Sequence, residues 1–179
     1  ALVENLDQNV GKLMAELDRL GLRENTLIIF TSDNGGLIGN PQNPVTVNLG
    51  LRSFKGYPYE GGIRVPTIVS WLNKIPAGTI SDTPIITMDW IPTVLDLMGE
   101  DSTVGDGVSL KSLLLEQGPL GNRDLFWHFP HYRGSDVVPY AIVRSGDFKL
   151  IHYFDGSEAE LFDLKNDPEE SRNLINSDR

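Results

Sequence analysis

Asp33 and Asn34 stand side by side, between the apolar run Leu27-Ile28-Ile29-Phe30 and the pair Gly35-Gly36. Carboxylate and carboxamide oxygens are hard donors of the kind that calcium or magnesium takes. A second stretch, Gly50 to Pro66, carries Arg52, Lys55 and Arg64 among glycines and prolines. A cation and a lysine converging on one point would hold a tetrahedral oxyanion such as sulfate or phosphate. They would also stabilise charge on it in a transition state. Each stretch has a plainer reading. Asp-Asn-Gly-Gly after a strand also makes an ordinary turn, and a basic glycine-rich loop is also found simply solvated. Residue types alone leave both readings open. The three histidines add less. Alternation places His128 on one face with Phe126 as a packed residue, His131 lies in a loop beyond Pro130, and His152 sits mid-strand in a structural place.

The elements around these residues can be read from periodicity. Val3, Leu6, Val10, Leu13, Leu17 and Leu20 recur at spacings of three and four, which predicts an amphipathic helix over 2–20 with Gly21 as its cap. Gly11 inside it invites a close packing contact. Residues 27–30 read as a buried strand of a parallel sheet, covered on both faces. Ligands bind just beyond the carboxyl ends of such strands, which is where Asp33 and Asn34 fall. Thr67 to Leu72 reads as a second apolar strand. Asp89 is a candidate N-cap with Pro92 in the first turn of a helix over 90–98 closed by Gly99, and Leu110 to Leu115 reads as a short helix.

Gly118-Pro119-Leu120-Gly121-Asn122 is the best candidate boundary, because the period becomes two beyond it. Strands are expected at 125–129, 140–144, 148–154 and 160–163, with Ser145-Gly146-Asp147 as a hairpin turn and a last helix over 169–175. The expected organisation is an α/β portion over 1–118 and a small antiparallel α+β lobe over 122–179.

A chain of 179 residues with 40% hydrophobic and 22% charged residues is ordinary for a globular protein. Near this length roughly 70% of the unfolded surface is hidden on folding. The formal net charge of −10 argues against a general nucleic-acid binder, which needs a basic footprint. A local basic site for an anionic substrate remains compatible with it. With no cysteine, the chain has no disulfide, zinc-thiolate site or cysteine nucleophile. No apolar run approaches the roughly 20 residues of a membrane span. The helical pattern is already running at Ala1, so a piece of something longer is expected.

Together these segments resemble the C-terminal half of the formylglycine-dependent sulfatases, in the alkaline phosphatase superfamily. The resemblance is carried by Asn25-Thr26-Leu27 through Ser32-Asp33-Asn34-Gly35, by Leu51-Arg52 with Lys55-Gly56, and by Tyr59-Glu60-Gly61-Gly62-Ile63-Arg64-Val65-Pro66. Later segments join it: Gly146-Asp147-Phe148-Lys149-Leu150, Glu160-Leu161-Phe162-Asp163-Leu164 and Asp167-Pro168. The fold it implies is part of an alkaline-phosphatase-like sheet-and-helix sandwich followed by the small lobe. It implies that Asp33 and Asn34 are two ligands of a calcium ion, with magnesium as the other candidate, and that Lys55 contacts the substrate sulfate. Arg52 and His131 are candidate substrate-binding residues, while Arg52, Glu60 and Arg64 are also placed to support the loop. A sulfated small molecule or sugar is the implied substrate, and a periplasmic or secreted location is the family's expectation.

The family's nucleophile arises from a cysteine or serine in a Cys/Ser-x-Pro-x-Arg motif, and no such motif occurs in this sequence. The resemblance places it, with two further metal-binding aspartates, upstream of Ala1. Alone, the chain is expected to hydrolyse no aryl sulfate and to bind calcium weakly. An exposed sheet edge is expected to favour association with another copy. Phosphonate or phosphodiester hydrolysis, and a non-catalytic anion-binding relative, are the alternatives to sulfate-ester hydrolysis.

Overall fold

The computed structural model describes residues 2–40, 43–44, 46–101, 105–134 and 136–176. The chain forms two units: 1–31 with 67–120, and 32–66 with 121–179. Residues 118–122 span one of the points where the chain passes from unit to unit, and the segment 32–66 belongs with the C-terminal lobe.

In the first unit, helix α1 (Leu2–Arg19) forms where the apolar period predicts it. It ends in a Schellman arrangement: Gly21 N–H donates to Asp18 O (3.1 Å) and Leu22 N–H to Leu17 O (2.9 Å). The helix buries no residue, and Leu2, Leu6 and Leu13 are all exposed. The space beside Gly11 is open, so the close contact expected there is not formed.

Strand β1 (Ile28–Thr31) pairs with β4 (Thr67–Ser70), with Ile28 opposite Ser70 and Thr31 opposite Thr67. The pairing is antiparallel, not the parallel pairing expected, and Phe30 and Ile68 keep 39% and 61% of their surface. Four apolar residues in a row specify burial potential, whereas direction is decided by the partner strand. Helix α3 (Trp90–Met98) closes at Gly99 in the left-handed region. Asp89 stands at its N-cap position as expected, but its side chain makes no cap hydrogen bond to the helix. Its buried carboxylate accepts N–H groups from Ile86 (2.9 Å) and Val108 (3.1 Å), tying a distant loop to the helix start. The expected short helix near 110–115 is a π-type turn at Ser112–Glu116. No helix among the described residues is long and apolar enough to cross a membrane.

The second unit is built on an antiparallel meander: β5 (Asp124–Phe129), β6 (Tyr140–Ser145), β7 (Phe148–Tyr153) and β8 (Glu160–Asp163), in that order. The turn at Gly146-Asp147 joins β6 and β7 in register from Tyr140↔Tyr153 to Ser145↔Phe148. One sheet face buries Tyr140, Ile142, Ile151 and Phe162, with Val137 and Leu164 beside them. Tyr57, Tyr59 and Ile63, from the cationic segment and the short helix α2 (Glu60–Ile63), pack onto that core. The remaining short pair, β2 (Gly39–Asn40) with β3 (Asn43–Pro44), lies in the intervening loop.

The helix expected over 169–175 is absent. The Asp167 carboxylate instead accepts the N–H groups of Ser171 (3.0 Å) and Arg172 (2.9 Å), and Leu174 N–H donates to Leu161 O (2.8 Å). Glu170 takes a left-handed backbone (φ +52°), which a right-handed helix cannot contain.

Candidate functional site: an acidic turn stitched to a cationic loop

Asp33, Asn34, Arg52, Lys55 and His131 all lie in the second unit. The turn 33–36 is joined to the loop 52–62 through main-chain hydrogen bonds. Gly35 N–H donates to Gly62 O (2.9 Å), and Lys55 N–H donates to Gly36 O (3.1 Å). The approach at Gly35 leaves no room for a side chain, since a Cβ there would overlap the Gly61 carbonyl. Asn48 completes the join. Its carboxamide nitrogen donates to Ser53 O and Gly61 O, both at 3.0 Å, with Gly36 O at 3.4 Å. The two segments that residue type singled out are thereby held as one piece.

Among the described residues the exposed Asp33 carboxylate has no hydrogen-bond or ion-pair partner in the fold. Asn34 donates its amide nitrogen to Gly35 O (3.1 Å), which leaves its carboxamide oxygen for another partner. Two neighbouring hard oxygens of this kind fit a calcium-class cation as part of a ligand set, which takes six to eight in all. The described residues contain no cluster of three or more His, Cys, Asp or Glu side chains placed to hold a metal. Lys55 is exposed, and its ammonium likewise has no partner among the described residues.

Arg52 is partly engaged, with 38% of its side chain still exposed. Its guanidinium lies 3.7 Å from the Tyr59 ring centroid, donates to Glu170 O (2.9 Å) and approaches Glu160 Oε1 (3.8 Å). Arg64, half exposed, faces Glu60 Oε2 at 3.9 Å. His131 is exposed and stands edge-on to Phe129 at 5.5 Å. His128 and His152, also exposed, flank Phe154 at 5.5 and 5.4 Å.

Under the loop lies a buried charge cluster that residue patterns did not single out. Lys149 Nζ, with no exposed surface, sits 3.0 Å from Glu60 Oε1 and 2.8 Å from Glu170 Oε1. Glu170 Oε2 accepts the Glu60 N–H at 2.6 Å, so a C-terminal residue caps α2 from outside. Burial pushes the Glu170 carboxyl up, and Lys149 opposes that shift. Nearby, Glu160 accepts the hydroxyls of Tyr59 (2.7 Å) and Tyr153 (2.6 Å). Burial raises both phenols above the ordinary tyrosine value. One signal for the cluster was available. Lys149 shares the inward parity of Ile151 on an otherwise apolar strand, and a lysine there requires carboxylate partners. Asn48 offered no such signal.

The chain as a whole resembles proteins of one family. Residues 1–100 match the sulfatase family, and residues 53–179 match the C-terminal part of N-sulphoglucosamine sulphohydrolase. The chain belongs to the sulfatase family. It is 35% identical to a sulfatase of Formosa agariphila over 98% of its length, and 33% identical to an N-acetylglucosamine-6-O-sulfatase of Bacteroides thetaiotaomicron, also over 98%. It is 32% identical to human arylsulfatase A over 95%. In each case it spans about a third of the relative, 34%, 31% and 37% respectively. A solved structure bound to its substrate, D-glucosamine-2-N,6-O-disulfate, superposes with a TM-score of 0.80 at 31% identity, covering 97% of this chain and 35% of that one. A phosphonate monoester hydrolase from Silicibacter pomeroyi shares the fold, with a TM-score of 0.72 at 24% identity over 96% of this chain and 35% of that one.

Proposed function

We propose that this chain supplies the sulfate-facing part of a sulfuric ester hydrolase acting on a sulfated sugar or small molecule. The observation that carries the reading is the main-chain stitching of the Asp33–Gly36 turn to the Lys55 loop, which keeps an oxygen-donor pair and an unpaired ammonium on one frame. Asp33 and Asn34 hold a divalent cation, calcium before magnesium, together with ligands from outside this chain. When bound, that cation supplies Lewis acidity toward a sulfate oxygen. Lys55 donates to a sulfate oxygen and offsets the charge that grows there as the ester bond breaks. Arg52 donates to the Glu170 carbonyl and stacks its guanidinium over the Tyr59 ring, contacts that favour support of the loop over substrate contact. His131, exposed and outside the core, contacts the group that bears the sulfate. The formylglycine nucleophile comes from outside these 179 residues, which contain no Cys/Ser-x-Pro-x-Arg motif, and the protein is periplasmic or secreted.

The shared fold of the phosphonate monoester hydrolase keeps a second reaction class in view. Hydrolysis of 4-nitrophenyl sulfate and of 4-nitrophenyl phenylphosphonate by the full-length protein carrying this chain separates them. Preference for the sulfate ester by kcat/KM supports the proposal. Preference for the phosphonate assigns the other class, and turnover of neither identifies a non-catalytic anion-binding relative.

A further inference from the structure

Lys55 presents its ammonium on a flexible stem that nothing among the described residues grips, so its position is set by its backbone. Besides the Gly36 carbonyl that receives its N–H, one contact from the segment after β5 reaches that backbone directly, and two more hold the residues next to it. The Arg133 guanidinium donates to the Lys55 carbonyl. The Tyr140 hydroxyl donates to the Gly56 carbonyl at 3.3 Å, and the Tyr57 hydroxyl donates to the Asp136 carboxylate. Arg133 is itself anchored. Its N–H donates to Val137 O (2.9 Å), its carbonyl accepts Val137 N–H (3.3 Å), and Val137 is buried in the sheet core. The turn is shaped around this arginine. Gly56 has φ +93°, and a Cβ there would overlap the guanidinium.

We infer that Arg133 is the positioning residue for Lys55, linking the core of the small sheet to the carbonyl of the sulfate-contacting lysine. The inference rests on the reading of Lys55 given above. A planar guanidinium is suited to this, because its donors are fixed in a fork and little rotamer freedom is lost per bond. Losing it frees the turn, and misplacing a reacting contact by about 1 Å can cost on the order of a hundredfold in rate.

The test is a double-mutant cycle on 4-nitrophenyl sulfate hydrolysis in the full-length protein carrying this chain. Lys55→Ala and Arg133→Ala are made singly and together, and the cycle is repeated with Arg133→Gln in case the alanine variant does not fold. Arg133→Ala is expected to lower kcat/KM by about 10- to 100-fold, and Arg133→Lys to recover part of that. In the Lys55→Ala background the Arg133 substitutions should cost little more, because residues acting through one another are not additive. Additive losses would overturn the inference, as would an Arg133→Ala enzyme within about twofold of the parent while Lys55→Ala is strongly impaired. A harmless Lys55→Ala would remove the Lys55 reading and this inference with it.

Discussion

Two lysines of the same lobe have opposite fates. Lys55 is exposed and unpartnered among the described residues, whereas Lys149 is fully buried between two carboxylates. The first is available to an anion from outside, and the second is consumed by the fold. Residue type and flanking glycines single out Asp33, Asn34 and Lys55 as candidates but leave a plain turn and a solvated loop equally open, and only the family resemblance assigns them roles. Asn48 and Glu170 were not legible in the sequence, because their roles depend on neighbours distant along the chain. Tyr140 belongs with these hidden supports. Burial raises its phenol from 10.0 to about 12. The folded chain therefore keeps this proton while the unfolded chain releases it, so the stability present below pH 10 is lost as pH rises toward 12. The loss amounts to roughly 2–3 kcal/mol. Urea unfolding from pH 9 to 12 should show that slope, and Tyr140→Phe should flatten it. An unchanged slope in the variant would remove Tyr140 as the cause.

At the scale of elements, existence was easier to read than direction. Helices α1 and α3 and the four-stranded meander follow their apolar periods. The direction of β1 against β4 did not follow, because a four-residue apolar run carries no directional information. The missing C-terminal helix failed for a local reason, since Glu170 sits in the left-handed region at φ +52°. The join between the turn and the loop depends on Gly35. Gly35→Ala would press a Cβ into the Gly61 carbonyl, a backbone atom that cannot rotate away. Overpacking of this kind costs about 1–3 kcal/mol, and it should move the Lys55 turn as well. Urea unfolding together with kcat/KM of the full-length variant would report both effects. Unchanged values would mean that the two segments are not mechanically joined.

For the molecule as a whole, the C-terminal sheet is the platform on which the cationic loop is mounted. Tyr57, Tyr59 and Ile63 pack onto its core, and Glu60, Lys149 and Glu170 join α2, β7 and the C-terminal segment. Removing the ammonium leaves two buried carboxylates facing each other. Lys149→Met is therefore expected to destabilise the chain by about 3–5 kcal/mol in denaturant titration. A change below about 1 kcal/mol would show that the cluster is not holding the lobe.

Asp33 and Asn34, in the reading proposed above, are part of a cation site that serves sulfate-ester hydrolysis. The most direct test of that reading is the calcium dependence of 4-nitrophenyl sulfate turnover by the full-length protein and its Asp33→Ala variant. Saturable, calcium-dependent turnover is expected in the parent. In the variant a loss of about a hundredfold is expected, or a calcium requirement shifted upward by a similar factor. An Asp33→Ala enzyme with the parent's rate and calcium dependence would contradict that reading.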